Sequence, residues 1–437
     1  MATKWDELFG KEYYIKITNE ERQYLGLEPI MEEWYITQYY SKTNLWHKRT
    51  TVFWEENVIK KVIVEQKKIL SPNNRIIYQS IQEDDTNLLT ENREWLLPLT
   101  KRGKKKKITA TNILAITPLG CTFHFHLDMH KDISTSMSIC NQRNNQRIAI
   151  GEHEKINKIQ NDADFHHFMK YYIESCPQDY FERIERLKYS DHITVKYNTG
   201  DIFRVEVDRF HYCYGLITGQ IRRIQKWEEL PQQHSLQSVM MVPIMVRFYN
   251  VRTTNPDLSV EELAQYPLGR VTICGDNDII WGTHTIVGHK ELKEDDIEFS
   301  LICCRIKSLS PNTTVHTYDM FVSDGMVEYP KSFNLYVEWG TAVTILPYER
   351  ISKKLQEYLK EYHSPHGGVS IGIYPELIGE NSFEYKGNLL NDINKKMRSE
   401  LFSCLGLDEN ATFDEFAMMF GGLTQKEILG KFYKKEI

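Results

Sequence analysis

The stretch KYNTGDIFRVEVDRFHYCYGLITGQ, residues 196–220, decides how the rest of the chain is read. Phe203, Val205 and Val207 alternate with polar residues, the period of two that a half-buried strand requires. Polar residues around Asp208 then turn the chain into the aromatic run that starts at Tyr212, so the stretch predicts a β-hairpin. Downstream, runs of the same kind recur at short spacing: VPIMVRFYN (242–250), DIIWGTHTIVG (278–288), IEFSLICCRI (297–306) and FNLYVEWGTAV (333–343). Closely spaced strands joined by turns favour an antiparallel barrel or sandwich over alternating strands and helices.

Upstream, residues 11–17 and 50–66 carry β-branched and aromatic residues in strand-like runs, so residues 1–155 read as a β-rich domain. Between 162 and 188 the period changes. Phe165, Phe168, Tyr172 and Ile173 share one helical face with Asp162 placed as N-cap, and Ser175 with Pro177 and Gln178 starts a second helix through a capping box. This helical pair makes residues 156–190 a connector to a second β-rich domain, 191–345. From residue 346 to 437 helical periods return, first in RISKKLQEYLKEY (350–362). The expected fold class is α+β: two antiparallel β-rich modules, SH3-like barrel or sandwich, joined by the helical pair and followed by a helical C-terminal appendage. GKEYYIKIT (10–18) also echoes GDIFRVEVD (200–208), as diverged copies of one module would.

Composition bounds the function. Hydrophobic residues make up 41% and charged residues 26% of the 437, enough to build cores, and the net charge of -6 argues against a general nucleic-acid binder while suiting a basic partner. Eight cysteines include no C-x-x-C pair and read as free thiols of a reducing cytoplasm. The first residues lack the apolar core of a signal peptide, and no run approaches the ~20 apolar residues of a membrane span. A cytoplasmic protein without membrane contact is expected.

Chemistry-bearing motifs are few. In CTFHFHLDMHKD, a strand would place His124, His126, Asp128 and His130 on one face, where imidazole and carboxylate can take a zinc-like ion; a metal-dependent hydrolase is therefore the alternative function. The cluster is similar to the H-x-H-x-D-H signature of metallo-β-lactamase-like hydrolases, with one residue inserted before the last histidine. A half-buried strand with Phe123, Phe125 and Leu127 inward explains the same alternation. GGVSIG, with Gly368, Ser370 and Gly372, fits a nucleophile elbow, but a helical stretch precedes it and no histidine follows His366. KRGKKKK (101–107) reads as a solvated basic hairpin loop, and DNDIIWG (276–282) as a strand entered from an Asp/Asn turn. No glycine-rich nucleotide motif is present, and no cofactor is expected.

The segment from about 196 to 343 resembles the immunity protein 26 family of bacterial polymorphic-toxin systems, through GDIFRVEV (200–207), YGLI (214–217), PIMVRFYN (243–250) and VEWG (337–340). The resemblance implies a non-catalytic protein that neutralises a cognate toxin by direct binding; the family label also carries a phosphotriesterase name, and no catalytic residue transfers to this chain. An inhibitor needs a patch with an aromatic and arginine centre inside a polar rim. Tyr212, Tyr214, Arg222, Arg223 and Trp227 cluster around the second strand of the hairpin and are the candidate anchors, with Trp281, His284 and Trp339 beside them. For the tryptophans, core packing is the competing account. The extra N-terminal and C-terminal regions leave a further alternative, a scaffold component of a phage-defence system.

Overall fold

The computed structural model describes residues 9, 14–43, 45–70, 75–90, 96–97, 106–109, 112–113, 118–128, 134–232, 234–239, 242–306, 318–319, 334–361 and 388–433. Two compact units make up the chain. The first comprises Met1–Thr194, Glu206–Phe210 and Trp281–Thr283; the second comprises Val195–Val205, His211–Ile280 and His284–Ile437. The class is α+β, with antiparallel sheets in both units and a helical C-terminal region.

The first unit is built on a seven-stranded antiparallel sheet. Its strands are β1 (Tyr35–Thr43), β2 (Trp46–Glu55), β3 (Val58–Leu70), β4 (Arg75–Leu89), β7 (Thr122–Asp128), β8 (Ser134–Asn141) and β9 (Gln146–Ile148), adjacent in that order. A separate two-stranded ladder pairs β5 (Leu96–Leu97) with β6 (Lys106–Lys107), so the basic run does enter a hairpin at its last two lysines, while residues 101–105 lie outside the described residues.

Alternation sorts the sheet's side chains. Phe53, Ile63, Ile81, Phe123, Phe125, Met137 and Ile139 face one way, onto a core closed by α3 (Asp162–Glu174) and α4 (Tyr180–Tyr189), helices that follow α1 (Asn19–Tyr24) and α2 (His153–Ile156) in the chain. The Phe165 ring meets Phe125 edge-on at 5.6 Å. Val52, Trp54, Val62 and Val64 face the other way and pack with Ile108 and Ile113.

The first face also carries charge. Arg22 holds Glu83 with two nitrogens, at 2.7 and 3.2 Å, and Lys61 sits 2.7 Å from Glu83 and 2.5 Å from Asp85. Arg49 pairs with Glu65, itself an acceptor for the Tyr14 amide. Buried ions are tolerated only when paired this fully, and these pairs fasten the segment around α1 to the sheet.

The second unit begins with a five-stranded sheet, in the order β13 (Thr272–Gly275), β12 (Pro243–Phe248), β11 (Tyr212–Gln220), β10 (Asp201–Glu206), β14 (Thr285–His289). A four-stranded sheet follows, in the order β16 (Tyr318–Asp319), β15 (Leu301–Ile306), β17 (Asn334–Trp339), β18 (Ala342–Pro347). Between these strands lie four single-turn helices, α5 (Ile221–Ile224), α6 (Ser235–Ser238), α7 (Val260–Leu263) and α8 (Asn277–Ile280). After them come α9 (Lys353–Glu361), α10 (Lys395–Leu405), α11 (Phe413–Phe420) and α12 (Gln425–Ile428). One apolar core joins Met245, Ile273, Leu301, Val337 and Leu346 of the strands to Leu401, Phe402, Phe416 and Ile428 of the C-terminal helices.

Several local expectations need correction. FNLYVEWGTAV is not one strand: it turns at Gly340 and Thr341, with Gly340 at φ 63°, and Trp339 pairs with Ala342 across the turn. The start of DIIWGTHTIVG is the helical turn α8, because the Asp276 carbonyl accepts from the Ile279 and Ile280 amides. The N-cap of α3 is Asn161, whose side chain accepts from the Asp164 amide, and Ser175 ends that helix instead of opening the next, donating to the Tyr171 carbonyl. Residues 14–18 form no strand but lead into the Thr18–Glu21 capping box of α1; residues 10–13 of the proposed echo lie outside the described residues. GGVSIG lies outside them too. No helix among the described residues is long and apolar enough to cross a membrane. Cys121, Cys213 and Cys274 are buried and Cys140, Cys176 and Cys404 half-buried, all as free thiols.

Candidate functional site

At one end of the five-stranded sheet, where β11 passes into α5 and β13 into α8, polar side chains of both signs meet. Tyr197 donates its hydroxyl proton to Asp276 Oδ2 at 2.6 Å. Asp276 is held from both sides: its amide donates to the Val242 carbonyl at 3.3 Å, and its carbonyl opens α8. Burial pushes the Asp276 carboxyl up, and the Tyr197 hydroxyl and the nearby Arg222 guanidinium pull the other way. Burial and the Asp276 carboxylate together push the Tyr197 hydroxyl up, with Arg223 opposing. Tyr197 is therefore a neutral donor at physiological pH, fixing the carboxylate's orientation.

The two arginines are displayed by the turn of α5. Ile221 and Ile224 are buried, so the helical period leaves Arg222 and Arg223 on the exposed side. His284 packs beside Asp278. It is buried, its ring lies parallel to Phe203 at 5.9 Å, its amide donates to the Asp278 carbonyl at 2.8 Å, and its Nε2 is 3.9 Å from Asp278 Oδ2. The arrangement sets two exposed arginines near a hydrogen-bonded tyrosine–carboxylate pair, a geometry that can offer charge-assisted hydrogen bonds to a polar surface.

Of the eight anticipated anchors, Arg222 and Arg223 stand on the exposed turn of α5 near Asp276 and Tyr197, and His284 is buried beside Asp278. Four of the five aromatic candidates prove to be interior. Tyr214 is completely buried; its hydroxyl donates to the Asn255 carbonyl at 3.0 Å and accepts from the Leu258 amide, tying down the loop after β12. Tyr212 is buried on the same face of β11 under the Arg204 guanidinium, 5.2 Å from its ring centre. Trp227 stacks on Phe432 at 3.9 Å, and Trp339 donates its indole N–H to the Phe299 carbonyl at 3.0 Å among Phe402, Phe413 and Phe416. Period two placed Tyr212 and Tyr214 on one face, but only the packing of residues 249–263 over that face showed it to be inside. Trp281 belongs to the first unit, half-buried, with its carbonyl accepting from Gln146 Nε2 at 2.7 Å.

The histidine strand is β7, in the first unit. His124 and His126 project from the same face, as alternation predicts, beside Gln82 and Ser80 of β4 and Ser138 and Ser136 of β8. Ser136 Oγ lies 2.7 Å from His126 Nδ1, and Tyr78 stacks on the His126 ring at 5.8 Å. Burial holds the His124 imidazole below its usual value despite the nearby Asp84, whose carboxylate accepts from Thr122 and Gln82, each at 2.6 Å. The Asp128 side chain and His130 lie outside the described residues. Among the described residues no group of three or more His, Cys, Asp or Glu side chains could hold a metal ion.

Comparison with known proteins adds one assignment: residues 198–314 match the model of a family described as Immunity protein 26. The match runs from the turn before β10 through β15 and contains Arg222, Arg223, Asp276, Asp278 and His284; Tyr197 stands one residue before it. No curated protein and no solved structure matches the chain.

Proposed function

We propose that this chain is a non-catalytic partner-binding protein that neutralises a cognate bacterial toxin by direct contact, through the end of the five-stranded sheet. The observation that carries the reading is the display of Arg222 and Arg223 beside the Tyr197–Asp276 pair, within or next to the segment matching an immunity family. Arginine is one of the three side chains enriched among interface anchors, and its planar fork makes several charge-assisted hydrogen bonds. The net charge of -6 suits a basic toxin, whose capture long-range attraction accelerates. Free, largely buried thiols fit a reducing cytoplasm as the place of action.

The test is co-purification with the product of the adjacent gene. The parent chain forms a stoichiometric complex; replacing Arg222 and Arg223 together by alanine weakens it by about tenfold or more, each lost anchor being worth about 1 kcal/mol or above. Both positions are exposed, so the circular dichroism spectrum of the free variant matches that of the parent. Failure to form any complex defeats the proposal.

A further inference from the structure

β1 (Tyr35–Thr43) is the outer strand of the seven-stranded sheet, and among the described residues its strand neighbour is β2 alone. Half of its backbone N–H and C=O groups therefore point away from the sheet. Proteins normally blunt such an edge by keeping it short, or with proline, a bulge or a central charge. Among the described residues the other edge strands are short: two residues in β5, β6 and β16, three in β9, four in β13, five in β14 and six in β18. β1 has nine, paired to β2 without a register shift. Its sequence, YITQYYSKT, has no proline and one charge, Lys42, near its end. None of the nine residues is buried, and Tyr35 and Ile36 are 63% and 53% exposed.

The strand is also its own complement. Laid antiparallel on a second copy with full overlap, Tyr39 faces Tyr39, Gln38 faces Tyr40, Thr37 faces Ser41 and Ile36 faces Lys42. These are aromatic and hydroxyl cross-strand pairs, and the lysine meets an apolar side chain along which its stem can lie. No like charges face each other. We propose that β1 pairs with β1 of a second copy of this chain about a twofold axis at Tyr39, joining two seven-stranded sheets into one continuous sheet. A closed twofold contact pairs both β1 edges at once and leaves at the two ends of the joined sheet only the three-residue strand β9 of each copy.

Sedimentation equilibrium of the full chain over a concentration series tests this, independently of any toxin. The parent dimerises. Ile36→Lys places a lysine against Lys42 at both ends of the contact and weakens the dimer by about tenfold or more, while Ile36→Lys combined with Lys42→Glu restores it through two opposite-charge pairs. Because both positions are exposed, the circular dichroism spectrum of each variant matches that of the parent. A parent that is monomeric at every concentration, or a dimer that Ile36→Lys leaves unchanged, overturns the proposal.

Discussion

Lys61 Nζ lies 2.7 Å from Glu83 Oε1 in the first unit's sheet, and neither side chain reaches solvent. Burial by itself would push the Glu83 carboxyl up, but Lys61 and Arg22 outweigh it and hold it below its usual range. Removing one partner leaves the others charged and uncompensated in a place that water does not reach. Lys61→Met should therefore destabilise the chain by about 3–5 kcal/mol in urea unfolding, although it adds an apolar side chain. A depressed carboxyl contributes stability above its unfolded value, about 4.3, and that stability is lost as pH falls through the folded value. The parent should accordingly lose part of its stability between about pH 4 and lower pH, and Glu83→Gln should lose less.

Glu338 is the opposite case. It is buried on β17 with both oxygens accepting from the Ser235 amide, at 2.8 and 3.0 Å. Burial pushes its carboxyl up to about 7, the amide opposing only in part. Here the folded chain holds the proton more tightly than the unfolded one, so the contribution is whole below about pH 4.3 and is lost as pH rises through the folded value. Neighbouring His234 has the reverse slope. Burial holds its imidazole down to about 4, so its contribution is present above the unfolded value of about 6.5 and lost as pH falls through 4. Glu338→Gln should be more stable than the parent by about 2–3 kcal/mol near pH 8, the gap closing toward about pH 5. Identical urea midpoints for the two proteins near pH 8 would show that ionising this carboxyl costs nothing.

Gly340 makes the turn between β17 and β18 at φ 63°, and a Cβ there would stand 2.4 Å from Phe413 Cε2. Alanine meets two penalties, the left-handed backbone and the displacement of Phe413 from the Trp339 and Phe299 rings. Gly406, at φ 78°, has open space where a Cβ would go and carries only the first. Gly340→Ala should cost about 2–4 kcal/mol and Gly406→Ala about 1 kcal/mol. Equal effects in thermal unfolding would mean that Phe413 yields without cost.

Much of the local structure was legible residue by residue. The alternation of Phe203 and Val205 marked β10, the spacing of Phe165, Phe168 and Tyr172 marked the buried stripe of α3, and the β-branched runs of 50–66 marked β2 and β3. The errors fell where one residue outweighs a pattern. Gly340 cuts a continuous apolar run into two strands, and Asp276 converts an apparent strand into a helical turn by accepting two amides with one carbonyl. Arg222 and Arg223 were legible as charged side chains just after the hairpin's second strand, whereas the Tyr197–Asp276 hydrogen bond near them joins residues 79 apart in the chain.

The sequence by itself determined the type of its most periodic segments, strands within 50–66 and 201–206 and a helix at 162–174, and which of their side chains share a face, because the periods of two and 3.6 are properties of the local backbone. It left open which face is inside. Tyr212, Tyr214, Trp227 and Trp339 have the composition of an exposed binding patch and lie in the core, while Tyr35 and Ile36 have the composition of a core and lie exposed on the outer strand of a sheet. Burial is settled by what packs over a residue from distant parts of the chain, and that only the tertiary structure decided.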